Sequence, residues 1–427
     1  MPYPIIELEV TQPLPTLQIT ENDTGIALVL RRKDKPIGFV MQALPTKTVL
    51  TPDDVAQLLS QEIGTKLLQE SIREELVPQA NREQFPYLTV AICTKDRPDN
   101  LARCLKSLLK LQAPEDSPQF EVLVVDNAPS DERTKELVAT LPTVRYTREP
   151  KAGLDFARNR ALQEATGEIL AYLDDDVTVD RKWLDGLREA WAENPDAGGF
   201  TGLVLPYELV TEAQILFEQR GGFRRGFEKI RHGQILPGNP LYPCGAGIFG
   251  AGCNMAFRRE VLLKLGGFDE ALDTGAPLPG GGDLDIFYRV IRAGYPLVYE
   301  PQYLVFHQHR QEMEKLRRQY WSWGLGFMAF VVKSYQQDIS QRAKFRSLVW
   351  WWLKDQLQKF SESLTGRYIL PTGMIVAELW GGIVGLLGEY SRSQKRVEQI
   401  KKQCHSDVGL PHQQFERSQE NEILLQK

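Results

Sequence analysis

The sequence predicts an α/β protein built on a mostly parallel sheet with flanking helices. Two observations carry this expectation. From residue 87 onward, short apolar runs alternate with amphipathic stretches, and a polar cluster follows several of the runs at its carboxyl end. Apolar runs without period-two alternation mark strands covered on both faces, and their alternation with helices marks parallel pairing.

The elements follow in order. YLTVAICT reads as a strand and NLARCLKSLLKL as a helix. FEVLVVDNA and ERTKELVATL form the next pair, then VRYTRE and LDFARNRALQEA, then GEILAYLDDD and RKWLDGLREAWAEN. In such sheets ligands bind outside the carboxyl ends of the strands, where TKDRPDN, DNAPSD and DDD are placed. Residues 83–310 hold this domain, with Gly- and Pro-rich loops after 197.

Residues 1–82 read as a small α+β module. IALVLRRKDKPIGFVMQAL is two strands around a KDKP turn. TPDDVAQLLSQEIGTKLLQESI is a helix with Thr51 as N-cap and Pro52 at its first position. NREQFP is the linker. Residues 311–403 are helical and aromatic, with six of the eight tryptophans (Trp321, Trp323, Trp350, Trp351, Trp352 and Trp380). Residues 404–427 form a polar tail.

Composition removes several classes. The 427 residues are 42% hydrophobic and 25% charged, as in globular proteins. A net charge of −5 gives no reason to expect nucleic acid, whose binding usually needs a basic patch. The five cysteines make no CxxC pair, so a structural zinc site is not expected and a reducing, cytoplasmic compartment is. No basic-then-apolar leader opens the chain, and no run of eighteen uncharged apolar residues occurs; 368–388 comes nearest, interrupted by Pro371 and Glu378.

Asp174, Asp175 and Asp176 stand together at the end of an apolar strand. Adjacent carboxylates repel, and hard oxygen ligands suit Mg²⁺ or Mn²⁺. The alternative is a solvated acidic turn; the other polar clusters at strand ends favour the cation. Gly252, Cys253 and Asn254 lie in GIFGAGCNMAFRRE, where small residues would let backbone approach a ligand, or would mark a bulge. Neither a P-loop nor a GxGxxG fingerprint occurs.

Together these segments resemble a family 2 glycosyltransferase of the inverting, GT-A (Rossmann-like) type. VAICTKDRPDNLARCLKSLL resembles the family's first strand and helix, VLVVDNAPSD its second strand, AGLDFARNRAL its GxxxARN segment and ILAYLDDDV its DxD motif. GAGCNMAFRREVLLKLGGFDE and GGGDLDIFYRVIRAGY resemble its acceptor-side segments. The resemblance implies transfer of a sugar from a nucleotide-diphosphate sugar, with a UDP-, dTDP- or GDP- base, to a hydroxyl on a glycan or lipid-linked acceptor.

It also implies roles. Cys93, Thr94, Lys95 and Asp96 would line the base. Asp126 would contact base or ribose, with Asn127 beside it. Arg158 would approach the diphosphate or base, Asp174 and Asp175 the ribose, and Asn254 the sugar nucleotide. Asp176, with Asp174, would hold the metal. Asp283 would be the general base; the family usually has Glu-Asp where this chain has Gly282-Asp283. Asp285 is the competing base, set behind Asp283 because a helix is expected to start at or just after it. His307, rather than His309, would complete the metal or diphosphate site; a structural histidine is the alternative. A nucleotidyltransferase would show a Gly-rich loop after the first strand, which CTKDRP lacks. A non-catalytic sugar-nucleotide binder remains the other rival.

RSLVWWWLKDQLQKF and MIVAELWGGIVGLLGEY, followed by the basic SRSQKRVEQIKK, fit two pictures. They could lie on the anionic inner face of a membrane, making the protein peripheral there. Equally, they could pack as a helical hairpin on the core.

Overall fold

The computed structural model describes residues 2–76, 85–112, 120–273 and 278–408. Most of the expected linker, residues 81–84, and the end of the tail, residues 409–427, lie outside the described residues.

The N-terminal sheet consists of β1 (Ile5–Glu9), β3 (Gly25–Arg32) and β4 (Lys35–Ala43), while β2 (Leu17–Gln18) pairs with β5 (Val49–Leu50). Between β3 and β4, Lys33 and Asp34 both take positive φ, the geometry of a two-residue hairpin turn. Helix α1 (Pro52–Leu76) opens with a reciprocal cap: Asp54 N–H donates to Thr51 Oγ1 at 3.3 Å, and Thr51 N–H donates to Asp54 Oδ2 at 2.8 Å.

The central sheet holds β6 (Leu88–Thr94), β7 (Phe120–Asn127), β8 (Val144–Glu149), β9 (Ile169–Asp174), β10 (Val177–Val179), β11 (Gly199–Pro206), β12 (Ile230–His232), β13 (Asn254–Arg258) and β14 (Leu297–His307). Its order is β10-β14-β11-β13-β9-β6-β7-β8, with β12 on β14. Strands β8, β7, β6 and β9 are mutually parallel, and β11 is parallel to β14. Antiparallel β13 links the two parallel blocks. It comes from the Gly-rich half, where the apolar pattern shows no strand–helix alternation.

Strand alternation divides the core. Val90, Ile92, Val122, Val124 and Leu173 face α2 (Pro98–Leu109) and α5 (Trp183–Glu193). Cys93, Leu123, Val125, Tyr172 and Phe257 face the other way. There they meet α4 (Leu154–Glu164), α8 (Gly282–Arg292), α9 (Met313–Gln337) and α10 (Arg342–Leu364). Short helices α3 (Arg133–Ala139), α6 (Glu212–Gln219) and α7 (Arg259–Lys264) fill connections.

The N-terminal sheet shares a core with the central one. Val29 packs with Leu203, Leu205, Tyr299 and Leu304. Buried Arg31 pairs with Asp180 at 2.5 Å and with Glu7 at 2.7 Å.

The C-terminal helices continue with α11 (Thr372–Val384) and α12 (Tyr390–Val408). Thr372–Cys404 is long and apolar enough, by length and composition alone, to cross a membrane. The run is broken, however: Leu387 and Gly388 leave helical geometry between α11 and α12. A 13-residue helix spans about 20 Å at 1.5 Å per residue, against roughly 30 Å of hydrocarbon. Helix α11 lies backbone to backbone on α9: a Cβ at Gly324 would collide with the Glu378 carbonyl, and one at Gly381 with that of Trp321. On α10, Phe345, Leu348, Trp352 and Gln356 face inward at helical spacing, while Trp350 and Trp351 point out, as does Trp380 of α11.

Candidate functional site

The parallel strands β6, β7 and β9 end side by side, with Thr94 opposite Asp126 and Cys93 opposite Asp174. This brings TKDR, DNAP and DDD to one edge.

The turn between β9 and β10 separates the three acids. Asp174 and Asp176 converge with His307, at the end of β14, so that one ligand atom from each lies within 4.8 Å of the others. Asp175 turns away: it accepts from Thr94 Oγ1 at 2.7 Å and pairs with Arg97 at 2.6 Å. Burial pushes Asp175 up to about 7 and Asp174 up to about 6. Burial also opposes charge on Asp176, but neighbouring His307, Arg97 and Arg310 outweigh it and hold that carboxyl low. Burial drops His307 to about 4, so its imidazole is neutral at pH 7, as a metal ligand must be.

The donors fit a hard divalent cation. Asp176 Oδ1 is buried without a hydrogen-bond donor, and its near neighbour is His307 Nε2 at 3.4 Å. Two carboxylates and an imidazole match the ligands Mn²⁺ and Mg²⁺ accept.

Arg158 connects this cluster to Asp283. Its guanidinium lies 3.0 Å from Asp155, 3.9 Å from Asp174 and 3.5 Å from the Gly252 carbonyl. Gly252 N–H in turn donates to Asp283 Oδ2 at 3.2 Å. Helix α8 begins at Gly282, so Asp283 and Asp285 both lie in its first turn. This corrects the expected helix start; burial is what separates the two acids. Asp283 is partly exposed, whereas Asp285 is 1% exposed and paired with Arg289 and Lys333 at 2.7 Å each.

The remaining expected residues divide. Lys95 is exposed at the rim. Asp96, in a left-handed turn, accepts from Ser130 N–H at 2.8 Å. Asp126 is enclosed, accepting from Tyr146 Oη at 2.9 Å with Oδ1 unpartnered, and burial raises its pKa. Cys93 faces the α4 side, its thiol pushed far up by burial. Asn127 clips the loop before α4, donating to the Lys151 carbonyl at 2.7 Å and accepting from Gly153 N–H at 2.9 Å.

Asn254 is a correction. Its carboxamide is fully buried on the α5 side, opposite Asp174 and Arg158. It accepts from Trp183 Nε1 at 3.1 Å and donates to the Tyr303 carbonyl at 2.7 Å. The polar atoms of its side chain are thus committed to the interior.

Sequence reasoning passed over two residues. Arg97, next to the TKD cluster, bridges Asp175 and Asp176. Asp155, inside GLDFARN, lies wholly buried against Arg158, and burial pushes it up to about 7. A charged residue inside each named motif was the available signal.

The chain is similar to several known proteins. Residues 89–266 match the family model described as Glycosyl transferase family 2. The succinoglycan biosynthesis protein ExoM of Rhizobium meliloti is 28% identical over 51% of this chain and 65% of its own length. A glucosyl-dolichyl phosphate glucuronosyltransferase of Haloferax volcanii is 25% identical over 43% of this chain and 56% of its own. A pre-mycofactocin glycosyltransferase of Mycobacterium tuberculosis is 27% identical over 53% and 43%. The chain thus spans 43% to 65% of the length of these relatives. Among solved structures, a mannosyltransferase from Pyrobaculum calidifontis in complex with GDP-Man and Mn²⁺ aligns over 83% of this chain and 90% of its own, with TM-score 0.44 and 17% identity.

Proposed function

Starting from residues 89–266 as a family 2 glycosyltransferase domain, we propose that the protein transfers a sugar, with inversion, from a nucleotide-diphosphate sugar to a hydroxyl acceptor. The observation that carries this reading is one edge holding two functions. A cation-type cluster, Asp174, Asp176 and His307, is joined through Arg158 and Gly252 to the partly exposed carboxylate of Asp283.

Asp174, Asp176 and His307 would hold Mg²⁺ or Mn²⁺. When bound, the cation neutralises charge gathering on the diphosphate leaving group. Arg97 and Arg158 present guanidiniums to the same diphosphate. Asp283 accepts the proton of the acceptor hydroxyl as its oxygen bonds the anomeric carbon and the bond to the diphosphate breaks. Asp285 is less suited, because its two cationic partners already occupy its oxygens.

The exposed tryptophans of α10 and α11 support a lipid-linked acceptor met at a membrane surface, with both helices packed on the domain and Trp350, Trp351 and Trp380 pointing outward.

The direct test incubates the purified protein with UDP-, GDP- and dTDP-sugars, with Mn²⁺ or with EDTA. Nucleoside diphosphate release that requires the metal and disappears in Asp283→Asn is expected. Release undiminished by EDTA would overturn the metal role, and full release by Asp283→Asn would overturn the base.

A further inference from the structure

Behind His307 lies a second buried histidine and a buried carboxylate. His307 Nδ1 sits 3.0 Å from His309 Nδ1, and His309 Nε2 sits 2.7 Å from Glu218 Oε1 on α6. Glu218 is fully buried, and His309 and His307 nearly so. Aromatic rings enclose the group: Phe217 meets His309 at 4.8 Å, Phe223 meets His307 at 5.2 Å, and Trp323 of α9 closes over both phenyl rings. Arg224 fixes the far end, lying 3.4 Å from Glu218 Oε2 and donating to the Glu218 carbonyl at 2.9 Å. The Arg224 guanidinium stacks in turn on Phe39 of β4, at 4.7 Å, so the N-terminal sheet touches the chain of contacts. Gly222, at positive φ, leaves room for the carboxylate: any Cβ there would strike Glu218 Oε1.

With Glu218 ionised and both imidazoles neutral, hydrogen-bond chemistry permits one proton arrangement along these contacts. An ionised carboxylate only accepts, so His309 Nε2 carries the hydrogen that faces Glu218. A neutral imidazole has a single N–H, so His309 Nδ1 is then an acceptor. The facing His307 Nδ1 must donate to it. His307 Nε2 is left with a bare lone pair, aimed at Asp176 Oδ1 3.4 Å away and at the space shared with Asp174. Two lone pairs facing each other are unfavourable unless a cation stands between them.

We propose that Glu218 and His309 are positioning residues that set the Nδ1–H tautomer of His307, so that its Nε2 is prepared to bind a divalent cation. The inference rests on the cation site described above and assigns it a support that reaches from α6 through β14. Supports of this kind hold ligand geometry, and their loss commonly weakens metal binding 10- to 100-fold.

Two measurements on the full-length protein test it. The first needs no metal: long-range ¹H–¹⁵N correlation spectra of ¹⁵N-histidine-labelled protein, assigned with His307→Gln and His309→Gln. They should show His307 as the Nδ1–H tautomer and His309 as the Nε2–H tautomer. The opposite pattern overturns the relay whatever happens at the cation site. The second is Mn²⁺ titration followed by the loss of the free-ion EPR signal. Glu218→Gln can donate to His309 Nε2 and so reverse the whole chain, placing a proton on His307 Nε2. Its Mn²⁺ dissociation constant should rise 10- to 100-fold while its melting temperature, in the absence of metal, stays near that of the wild type. Wild-type affinity in Glu218→Gln, with binding lost in Asp176→Asn, refutes the relay and leaves the cation site standing. Failure of the wild-type protein to bind Mn²⁺ or Mg²⁺ removes the cation site itself.

Discussion

Lys333 of α9 pairs with Asp285 at 2.7 Å and with Asp269 at 2.8 Å, so the acid two residues beyond Asp283 is tied to the C-terminal helices. Two neighbouring carboxylates in one helical turn therefore have different work: one structural, one free to meet an acceptor. Asp283→Asn should bind nucleotide normally and lose transfer by about 10²–10⁴-fold, the usual contribution of a general base. Asp285→Asn should instead lower stability, by up to about 3 kcal/mol because it leaves buried charge less compensated. Denaturant titration and a transfer assay on both variants separate the roles; the reverse pattern would exchange them.

The acid run should divide in the same way. Asp176→Asn should abolish Mn²⁺ binding measured calorimetrically. Asp175→Asn, whose side chain faces Thr94 and Arg97, should retain most of it. Equal loss in both variants would show that Asp175 also ligates.

Glu300 offers a pH signature away from the site. It is 2% exposed, and burial pushes it up to about 7 despite Lys229 at 3.2 Å. The native state thus binds a proton more readily than the unfolded chain, whose glutamate titrates near 4.5. This stabilisation is complete below about 4.5 and is lost as pH rises through about 7. Glu300→Gln should remove that component, so urea stability between pH 5 and pH 8 should fall less than in the wild type, by a difference of at most about 3 kcal/mol. Parallel slopes would contradict the assignment.

The outer tryptophans can be tested without removing helices that the domain needs. Tyr390 donates to Asp269 at 2.9 Å and Ser393 to the Ala271 carbonyl at 2.8 Å, so deleting α10–α12 would strip the core. Replacing Trp350, Trp351 and Trp380 together with Gln should leave the circular dichroism unchanged and reduce co-sedimentation with anionic phospholipid vesicles several-fold. Unchanged sedimentation would argue that this face does not meet lipid.

The close crossing of α9 and α11 depends on missing side chains. Gly324→Ala would place a methyl against the Glu378 carbonyl and should lower stability by about 1–3 kcal/mol, the usual range for overpacking. An unchanged unfolding midpoint would mean that the two helices can separate without cost.

Between 87 and 194 the sequence by itself marked the main strands and helices, because apolar periodicity and capping are local. Thr51 caps its helix as read, and the hairpin turns at Lys33 and Asp34. It also located the acid run at a strand end and His307 at the end of another. Only the tertiary structure decided how side chains divide between faces and partners. Asn254 turns inward to Trp183 although its neighbours line the site, since alternation on antiparallel β13 depends on a register set by β9 and β11. Arg31 meets Asp180 across 149 residues, Lys333 meets Asp285 across two helices, and Glu218 meets His309 from a separate helix. Such pairs join groups far apart in the chain, and a buried charge finds its partner only when the fold closes around it.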